Sequence, residues 1–419
     1  MLANIIAIGD EILLGQTIDT NSGWMAQQLN PLGIGIRQIQ VIQDTPEAIR
    51  NAVQSALDTS PLTLVTGGLG PTRDDVTKET LASFFGMKLV EHAPTLAGIE
   101  AFFAARNRPM LPSNRAQALL PDGCTILPNP IGTAAGMWFE RPEDGHVLIS
   151  MPGVPYEMKG LITDEVLPRL ANRFELPVRV HRTVLTAGIG ESFLSEIVQD
   201  WEEGLANRGV SIAYLPKPGV VRVRLSAVGD HEEEVRRRID AEVDAFLKLA
   251  GRWVASENDE SLAEAIGRRL IQRRATLATA ESCTGGAIGA AVTAIPGSSA
   301  YFRGGILAYA NEVKTQALAV SAEVIAEQGA VSEPAVRAMA EGAQRAIGAD
   351  FALATSGIAG PSGGTPDKPV GTVWIACAGP DGTVARKFQF AGNDRSRNID
   401  QSVRAALDML RRLLDGVEA

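Results

Sequence analysis

Cysteine, histidine and aromatic residues are all scarce in this chain. Its 419 residues include three cysteines and four histidines, and aromatic side chains make up 5% of the total. Cys124, Cys283 and Cys377 are too few and too far apart for a disulfide framework or a CxxC zinc site. That usage is typical of a reducing compartment, so we predict a cytoplasmic protein.

Long hydrophobic runs and excess positive charge are also missing. No apolar run approaches the roughly 20 residues of a membrane span, and the start, MLANIIAIGDE, lacks the basic region of a secretion signal. The net charge is −10, which argues against a general nucleic-acid or anionic-membrane surface but not against local phosphate pockets. We expect neither a membrane nor nucleic acid as a partner.

Glycine and small apolar residues are abundant instead. The chain has 42 glycines and 45% hydrophobic residues, a composition that suits an α/β protein with many strand-to-helix turns. The hydrophobic pattern breaks near residues 170–177, and residues 253–259 resemble a linker. We therefore predict three domains, at residues 1–171, 172–256 and 257–419.

The most informative stretch is residues 275–288, ATLATAESCTGGAI. An apolar run followed by two glycines and a run of small residues predicts a strand, a tight turn and a helix. Ser282 would then lie at the strand end, near N–H groups of the helix that can stabilise an oxyanion or a phosphate. Ser282 is a candidate nucleophile, although a serine in this place would equally serve as a helix cap.

The proton acceptor for Ser282 cannot be a histidine of this part of the chain, because none follows His231. A lysine, a tyrosine or a carboxylate must take that role. Tyr309 and Lys314, in YANEVK, follow a second strand-like run, and they suit the role if burial keeps the lysine partly neutral. Cys283 is a rival nucleophile, but with no histidine nearby to favour its thiolate we interpret it as a small, partly buried residue.

Five motifs in one order resemble the C-terminal domain of the CinA (competence/damage-inducible) family. They are ESCTGG, YANEVK, GAVSEP, SGIAGPSGG and KPVGTVW, at residues 281–286, 309–314, 329–334, 356–364 and 368–374. The family domain is a nicotinamide mononucleotide (NMN) amidohydrolase. The resemblance therefore implies hydrolysis of NMN to nicotinate mononucleotide and ammonia, with no cofactor.

The resemblance also assigns roles to residues of this domain. It implies Ser282 as the nucleophile, activated by Tyr309 and Lys314. The family's arginine lies near Arg395, but the segment here, GNDR, is one residue longer than in the family, so Arg397 stays open as well. The residues expected to bind substrate are Thr284, Gly285, Gly286, Ser356, Gly357, Gly360 and Arg395, with the loop 357–364 holding phosphate through its N–H groups.

Polar residues follow the first strand of the chain. The apolar run 4–9 ends in Asp10 and Glu11, and Asn21 lies shortly beyond. Ligands of open parallel sheets bind at that edge, which makes these residues site candidates. Aspartate and asparagine are also common turn and cap residues, and alone they would favour a solvated loop.

A second strand, 62–66, runs into GGLGPTRDDVT. Glycine N–H groups can approach an anion there, and Asp74 and Asp75 could hold a divalent cation against phosphate oxygens. Asp74 would equally serve as an acid at a helix N-terminus. Neither generic phosphate motif fits, because no GK[ST] ends the loop and Arg73 occupies the third glycine position of GxGxxG.

The string GGLGPTRDDVT resembles the nucleotide-binding loop of molybdopterin-binding domains. Two further loops, NPIGTAAG and MPGVPYEMK at residues 129–136 and 151–159, are similar to the N-terminal domain of the CinA family. That domain has the molybdopterin-binding α/β sandwich fold and a divalent-metal-dependent ADP-ribose pyrophosphatase activity. The resemblance implies hydrolysis of ADP-ribose to AMP and ribose 5-phosphate with a metal of the Mg, Mn or Co class. The implied metal or water-activating residues are Asp10, Asp74, Asp75 and Glu157, and the implied substrate-binding residues are Asn21, Gly68, Gly70 and Thr72.

The middle of the chain predicts a small β-α-β-β-α unit. It resembles the KH-like domain of the longer CinA proteins, but Gly188-Ile189-Gly190 is not the GxxG clamp of RNA-binding KH modules. We predict a spacer or dimerisation role for this unit. In the last domain, strand and helix patterns alternate, which predicts an α/β sandwich with mostly parallel strands, and the arginines of helix 261–274 predict a solvated face.

Together these patterns predict a three-domain α/β protein with two nucleotide-hydrolysing sites that recycle pyridine nucleotides. The resemblance adds the expectation of a homodimer. Two other classes stay open: an interaction protein linked to competence or DNA damage, and a molybdopterin-binding enzyme.

Overall fold

The computed structural model describes residues 1–72 and 74–417, so Arg73 lies outside the described residues. Three larger sheets, of six, four and five strands, fall in the three predicted domains, and the predicted α/β class is confirmed. By contacts the chain forms two compact units, Met1–Val180 with Val228–Val235, and His181–Ala227 with Arg236–Ala419.

The first domain is built on a six-stranded sheet of order β2-β1-β3-β8-β7-β6, parallel except for the pairings of β7. Its elements are β1 Leu2–Ile8, α1 Asp10–Leu13, α2 Asn21–Leu29, β2 Gly35–Ile42, α3 Pro46–Thr59, β3 Leu62–Thr66, α4 Thr77–Phe84, β4 Leu89–Glu91, α5 Ala93–Ala104, α6 Pro112–Ala116, β5 Leu119–Pro121, β6 Thr125–Leu127, β7 Gly136–Glu140, β8 Val147–Met151, α7 Pro155–Leu161 and α8 Leu167–Arg173. A π-helical turn joins α7 to α8, and β4 pairs with β5 in a separate small sheet.

The central strands of this sheet are apolar runs buried on both faces. Every residue of β3 is buried, and so is all of β1 after its first residue. Strands of this kind need helices on both sides. Accordingly α2 packs into one apolar core and α3 into the other.

The connections of β1 leave it in opposite directions. The chain passes through α2 to β2 on one side of β1, and then through α3 to β3 on the other side. In open α/β sheets, ligands bind beyond the carboxyl ends of the strands at such a switch point. The candidate ligand edge of this sheet is therefore the region after β1, β2 and β3.

The middle domain forms a sheet of order β10-β11-β9-β12. Its elements are β9 Val178–Ala187, α9 Glu191–Glu203, β10 Val210–Lys217, β11 Val220–Gly229, α10 Glu232–Ala250 and β12 Val254–Ser256. The prediction of a linker at residues 253–259 is wrong at its start, because β12 adds to the sheet antiparallel to β9. A three-residue strand is too short to display the period of two on which a sequence prediction depends.

The last domain is a five-stranded sheet of order β14-β13-β15-β16-β17. Its elements are α11 Leu262–Arg273, β13 Leu277–Glu281, α12 Ala287–Thr293, β14 Phe302–Leu307, α13 Asn311–Leu318, α14 Ala322–Gln328, α15 Glu333–Ile347, β15 Phe351–Gly357, β16 Thr372–Gly379, β17 Gly382–Gln389 and α16 Arg395–Asp415. The strands were predicted to be mostly parallel, and four of the five, all except β16, run in one direction. β13 is parallel to both of its neighbours, but β15–β16 and β16–β17 are antiparallel.

This sheet has a switch point of its own. α12 carries the chain from β13 to β14 on one face, where α11 and α16 also pack, and α13–α15 return it to β15 on the other face. β14 and β15 therefore flank β13, and the three parallel strands end at one edge. By the same rule as in the first domain, the turn after β13 is a candidate ligand edge.

The arginines of helix 261–274 were predicted to form a solvated face, and Arg268, Arg273 and Arg274 are exposed, whereas Arg269 is partly buried. Arg269 pairs with Asp415 at 2.7 Å and Arg273 donates to the carbonyl of Leu414, so both tie α11 to α16. Arg268 pairs with Glu260. None of the described helices combines the length and the apolar character needed to span a bilayer.

Candidate functional sites

Ser282 lies between the ends of two neighbouring strands. Strand pairing sets Glu281 opposite Leu307 on β14 and opposite Thr355 on β15. One residue further, the N–H of Ser282 donates to the Thr355 carbonyl at 3.0 Å, and the N–H of Ala308 donates to the Glu281 carbonyl at 2.8 Å. The turn that bears Ser282 is thus fixed from both sides.

Lys314 reaches the same edge from α13. Its side chain is almost fully buried, and Nζ donates to the carbonyls of Ala308 at 2.8 Å and Tyr309 at 3.0 Å. Burial lowers the pKa of this lysine below its usual value. A neutral amine has two N–H groups and one lone pair, so these carbonyls would occupy both N–H groups and leave the lone pair available.

Tyr309 is placed differently from Lys314. Its side chain is 61% exposed, and its phenol oxygen accepts an N–H from Arg395 at 3.2 Å. Arg395 also donates to the carbonyl of Gly360 at 3.0 Å. Of the two arginines that the sequence left open, Arg395 is therefore the one that joins Tyr309 to the glycine-rich loop, whereas the main-chain N–H of Arg397 bonds the Asp394 cap.

The loop after β15 is held by buried polar groups. The hydroxyl of Ser356 is buried and donates to the carbonyl of Ala330 at 2.7 Å. Asn398, which the sequence did not suggest, donates to the carbonyls of Ala359 and Gly392 at 3.0 and 3.1 Å. These bonds set the course of the loop that contains Gly357 and Gly360.

Glu281 is the principal residue of this site that sequence reasoning missed. Its buried carboxylate accepts the hydroxyl of Thr284 at 2.7 Å and the N–H groups of Ile288 at 3.0 Å and Gly289 at 2.8 Å. Thr284 also bonds the hydroxyl of Thr355. The hydroxyl of Thr284, expected to contact substrate, is thus turned inward to Glu281. The available signal was an acid directly before the candidate nucleophile, seven and eight residues from the helix amides that it accepts.

This network revises the expected source of oxyanion stabilisation. Two N–H groups in the first turn of α12 are already occupied by Glu281. Within the described residues, the N–H groups of Thr284 and Gly286 have no acceptor. Gly285 and Gly286 both have positive φ, and a Cβ on either would meet no atom within 4 Å. The turn therefore offers open space and free N–H groups beside Ser282.

Cys283 has the surroundings of a structural thiol. It is 5% exposed within an apolar core, and burial raises the pKa of its thiol to about 12. A thiol in such a place stays protonated and is a poor nucleophile at neutral pH.

Three strand ends come together in the first domain. Asp10 follows β1, Asp44 follows β2, and the glycine loop follows β3. Asp44 was missed by sequence reasoning, although it lies two residues beyond a strand end, as Asp10 does. Burial and the charges of Asp75, Asp74 and Asp10 raise the pKa of Asp44 to about 6, so these four acids share one electrostatic neighbourhood.

The glycine loop after β3 is organised around Asp75. Its carboxylate accepts the N–H groups of Gly70 at 2.8 Å and Thr72 at 3.0 Å, together with the Thr72 hydroxyl. Gly68 has a φ of +64°, and a Cβ there would lie 2.0 Å from the Thr77 hydroxyl oxygen. The two N–H groups expected to cradle phosphate at Gly70 and Thr72 are therefore occupied by a carboxylate of the same loop.

Asn21 and Glu157 lie in the helices α2 and α7. Asn21 is buried at the start of α2 and donates to the Gly153 carbonyl at 2.8 Å, while its own side-chain oxygen is buried without a partner. Glu157 is buried and accepts Asn129 at 2.7 Å. Asn129 in turn lines a cavity of about 390 Å³ beside α5. Asn21 thus presents an orphaned acceptor beside the strand ends.

The expected metal residues do not form a closed cage. Among the described residues, no three His, Cys, Asp or Glu side chains come together as a chelating group. Asp10, Asp74 and Asp75 lie around Asp44, whereas Glu157 bonds Asn129. Mg²⁺ commonly uses only one or two protein carboxylates and completes its shell with water and substrate phosphates. The residues near Asp44 fit that mode of binding.

The first and the last domain are both α/β sheets with polar groups gathered where the strand connections reverse, which is where open α/β sheets bind ligands. The last domain matches the family model of the CinA C-terminal domain over residues 259–414. Residues 4–172 match a probable molybdopterin binding domain, and residues 181–253 match the KH domain of damage-inducible protein CinA.

The chain belongs to the CinA family. A CinA-like protein of Cytophaga hutchinsonii is 43% identical over 99% of both chains, and a CinA-like protein of Salinibacter ruber is 41% identical over 99% of this chain and 100% of its own. Among solved structures, a competence-damaged protein (CinA) superfamily protein of Klebsiella pneumoniae is 39% identical. That match covers 37% of this chain and 96% of the other, with a TM-score of 0.36.

Proposed function

We propose that this protein is a bifunctional hydrolase of pyridine-nucleotide fragments. The last domain deamidates NMN to nicotinate mononucleotide and ammonia, and the first domain hydrolyses ADP-ribose to AMP and ribose 5-phosphate. The observation that carries the proposal is a buried lysine, Lys314, at the same strand edge as Ser282. Ala308 donates to the carbonyl of Glu281 and accepts from Lys314 Nζ, so one residue links the nucleophile's strand to the base.

In the amidase reaction, neutral Lys314 takes the proton of the Ser282 hydroxyl as Oγ attacks the carboxamide carbon. The free N–H groups of Thr284 and Gly286 receive the oxyanion. Lys314 returns its proton to the amide nitrogen, the carbon–nitrogen bond breaks and ammonia leaves. Water, deprotonated by Lys314, then cleaves the acyl ester of Ser282 to release the carboxylate.

The substrate's phosphate and ribose lie, in this proposal, toward the exposed edge of the site. Arg395 is held there between Tyr309 and Gly360, and an arginine fork suits a phosphate. Tyr309 then contributes to substrate binding and, through its backbone carbonyl, to the placement of Lys314.

Glu281 positions the reacting serine in this mechanism. We expect Glu281→Gln to lower kcat for NMN by about 100-fold, because an amide cannot accept from both helix N–H groups and the turn shifts. KM should change little, since Arg395 and the glycine loop are untouched. Steady-state kinetics would measure both, with Glu323→Gln, an exposed acid on α14, as the matched control. An unchanged kcat would remove the positioning role.

For ADP-ribose, carboxylates near Asp44, namely Asp10, Asp74 or Asp75, would hold a divalent metal of the Mg, Mn or Co class. The metal would neutralise the phosphate charge and acidify a bound water. Asn21 offers its orphaned oxygen to a substrate N–H or hydroxyl. Asn129, which bonds Glu157, borders the cavity that suits an apolar ring. Asp75 must release the N–H groups of Gly70 and Thr72 if the loop is to hold phosphate.

We expect Asp44→Asn to reduce ADP-ribose hydrolysis by about 10-fold to 100-fold and to raise the Mg²⁺ concentration needed for half-maximal rate. The neighbouring carboxylates then lose part of the negative field that attracts a cation. Glu47→Gln, an exposed acid three residues away on α3, should leave the metal dependence unchanged. If the rate depends on Mg²⁺ concentration in the same way for the parent and for Asp44→Asn, this residue does not contribute to metal binding.

Two assays test the proposal as a whole: ammonia release from NMN and AMP release from ADP-ribose, both with the purified full chain. A protein silent in both would favour the interaction-protein class. For the first domain, the match of residues 4–172 to a probable molybdopterin binding domain favours a second candidate function, that of a molybdopterin-binding enzyme. Micromolar binding of a pterin monophosphate without ADP-ribose hydrolysis would support that second function.

A cytoplasmic homodimer is part of the same proposal. The segment after β1 exposes Leu13, Leu14 and Ile18, an apolar surface that a second copy would cover. Light scattering on the purified chain distinguishes one copy from two.

A further inference from the structure

A small cavity lies where the loop Gly188-Ile189-Gly190 of the middle domain meets the last domain, away from Ser282. It measures about 240 Å³ and is enclosed by the Gly188 loop, the start of β11, one face of β17 and one face of α16. Drug-sized ligands occupy about 300–1,000 Å³, so this cavity suits a single ring with its substituents. A Cβ on Gly188 would lie 2.6 Å from Arg412 and Asp408, which shows how closely the loop approaches α16.

The strand face toward this cavity carries an unexpected charge. Side chains of β17 alternate, and Val384, Phe388 and the following Phe390 pack into the core under α16. Arg386 lies between Val384 and Phe388 on the same face and lines the cavity. Within the described residues it has no ion pair or hydrogen bond, so its guanidinium is available to an anion.

The helix side of the cavity supplies more cations and an orphaned acceptor. Residues 401, 404, 408 and 412 of α16 recur at helical spacing and share one face. Arg404 bonds the Pro218 carbonyl, and Arg412 pairs with Asp408. Asp408 also pairs with Arg411, so the cavity's only carboxylate among the described residues is already neutralised. The side-chain oxygen of Gln401 is buried without a partner.

Aromatic rings complete the lining. Phe388 and Phe390 stack with centroids 5.7 Å apart and planes 15° from parallel. A ligand that fits this lining has three features. It has an anionic group for the unpaired arginine, a flat ring for the stacked aromatic side chains, and an N–H or O–H donor for the unsatisfied acceptor.

We propose that this cavity binds a small aromatic carboxylate that bears a hydrogen-bond donor on its ring. The carboxylate pairs with Arg386, the ring packs against Phe388 and Phe390, and the donor satisfies Gln401. The site is independent of both proposed hydrolytic reactions, and it gives the Gly188-Ile189-Gly190 loop a role in holding a small molecule.

The probe for a test is 4-hydroxybenzoate, with 4-hydroxybenzamide as its uncharged analogue. Met409 lines the cavity and is almost fully buried, so its methyl group is a local reporter. In the full chain, with ¹³C-methyl methionine and the signal assigned through Met409→Leu, titration with 4-hydroxybenzoate should shift the Met409 signal and saturate. The benzamide should bind at least about tenfold more weakly, because it lacks the charge that Arg386 recognises.

Arg386→Met should weaken the binding of 4-hydroxybenzoate, measured as Kd, by about tenfold or more. The matched control, Lys387→Met, removes the same charge from the opposite face of β17. Its Kd for 4-hydroxybenzoate should stay within about twofold of that of the parent. The other methionine signals report whether each variant is folded. An unmoved Met409 signal at about 10 mM ligand, or equal binding by Arg386→Met and the parent, overturns the proposal. In that case self-association of Arg386→Met would show that the charge of Arg386 prevents the exposed sheet edge from pairing with another copy.

Discussion

The Ser282→Ala variant should release ammonia from NMN at least about 10³-fold more slowly than the parent, since removal of a serine nucleophile leaves only binding and oxyanion stabilisation. Ser282 lies at the end of β13 with free N–H groups of its own turn beside it. Alanine removes one oxygen, and the backbone bonds that fix the turn do not depend on that oxygen. The loss should therefore be in kcat, with NMN still bound.

Cys283→Ala is the matched control for this experiment. It changes the neighbouring residue by one sulfur atom, and the buried thiol has a pKa raised to about 12. Ammonia release should stay within about threefold of the parent, although a small cavity in the core will lower stability somewhat. Full activity in Ser282→Ala, with loss in Cys283→Ala, would reverse the assignment of the nucleophile.

Lys314→Met should lower kcat for NMN by about the same factor as Ser282→Ala, because residues that act as one unit do not contribute additively. Methionine keeps the length and the apolar stem of the buried lysine but has no lone pair able to take the proton. The double variant with Ser282→Ala should then be no slower than either single variant. Ammonia release from NMN under saturating substrate measures all three.

Lys314→Arg is the sharper control, since a guanidinium keeps the charge and the donors but cannot be deprotonated at neutral pH. It should be nearly as slow as Lys314→Met. High activity in the arginine variant would show that positive charge, and not proton transfer, is the contribution of residue 314. The base would then be sought among the tyrosine and carboxylate alternatives.

The pH profile of the parent follows from the same lysine. Burial lowers the pKa of Lys314, and the reaction uses the neutral amine. The rate should thus rise with pH through that lowered pKa and level off above it, with the rising limb below the range of an ordinary lysine. Lys314→Met should lose this limb and keep only a slow, flat residual rate.

The local secondary structure around Ser282 could be predicted from the sequence. The pattern of an apolar run, two glycines and a run of small residues predicted the strand, turn and helix around Ser282, and the structure places β13 and α12 there. The absence of histidine after His231 limited the choice of base. These predictions depend on residues within about ten positions of each other, where period and turn chemistry act directly.

What the sequence could not determine is which distant groups meet. Glu281 takes its role from the amides of α12 and from Thr284, whose hydroxyl also bonds that of Thr355, 71 residues further along the chain. Arg395 was distinguished from Arg397 only by its bonds to Tyr309 and Gly360, and Asp44 joined the first site only through the order of β2, β1 and β3.

The sequence by itself thus determined the kinds of residue available and the elements that carry them. Tertiary structure decided the partners, the burial and the ionisation of those residues. The physical reason is that hydrogen bonds and charges act over a few ångströms, whereas strand order and helix packing decide which parts of a 419-residue chain come that close.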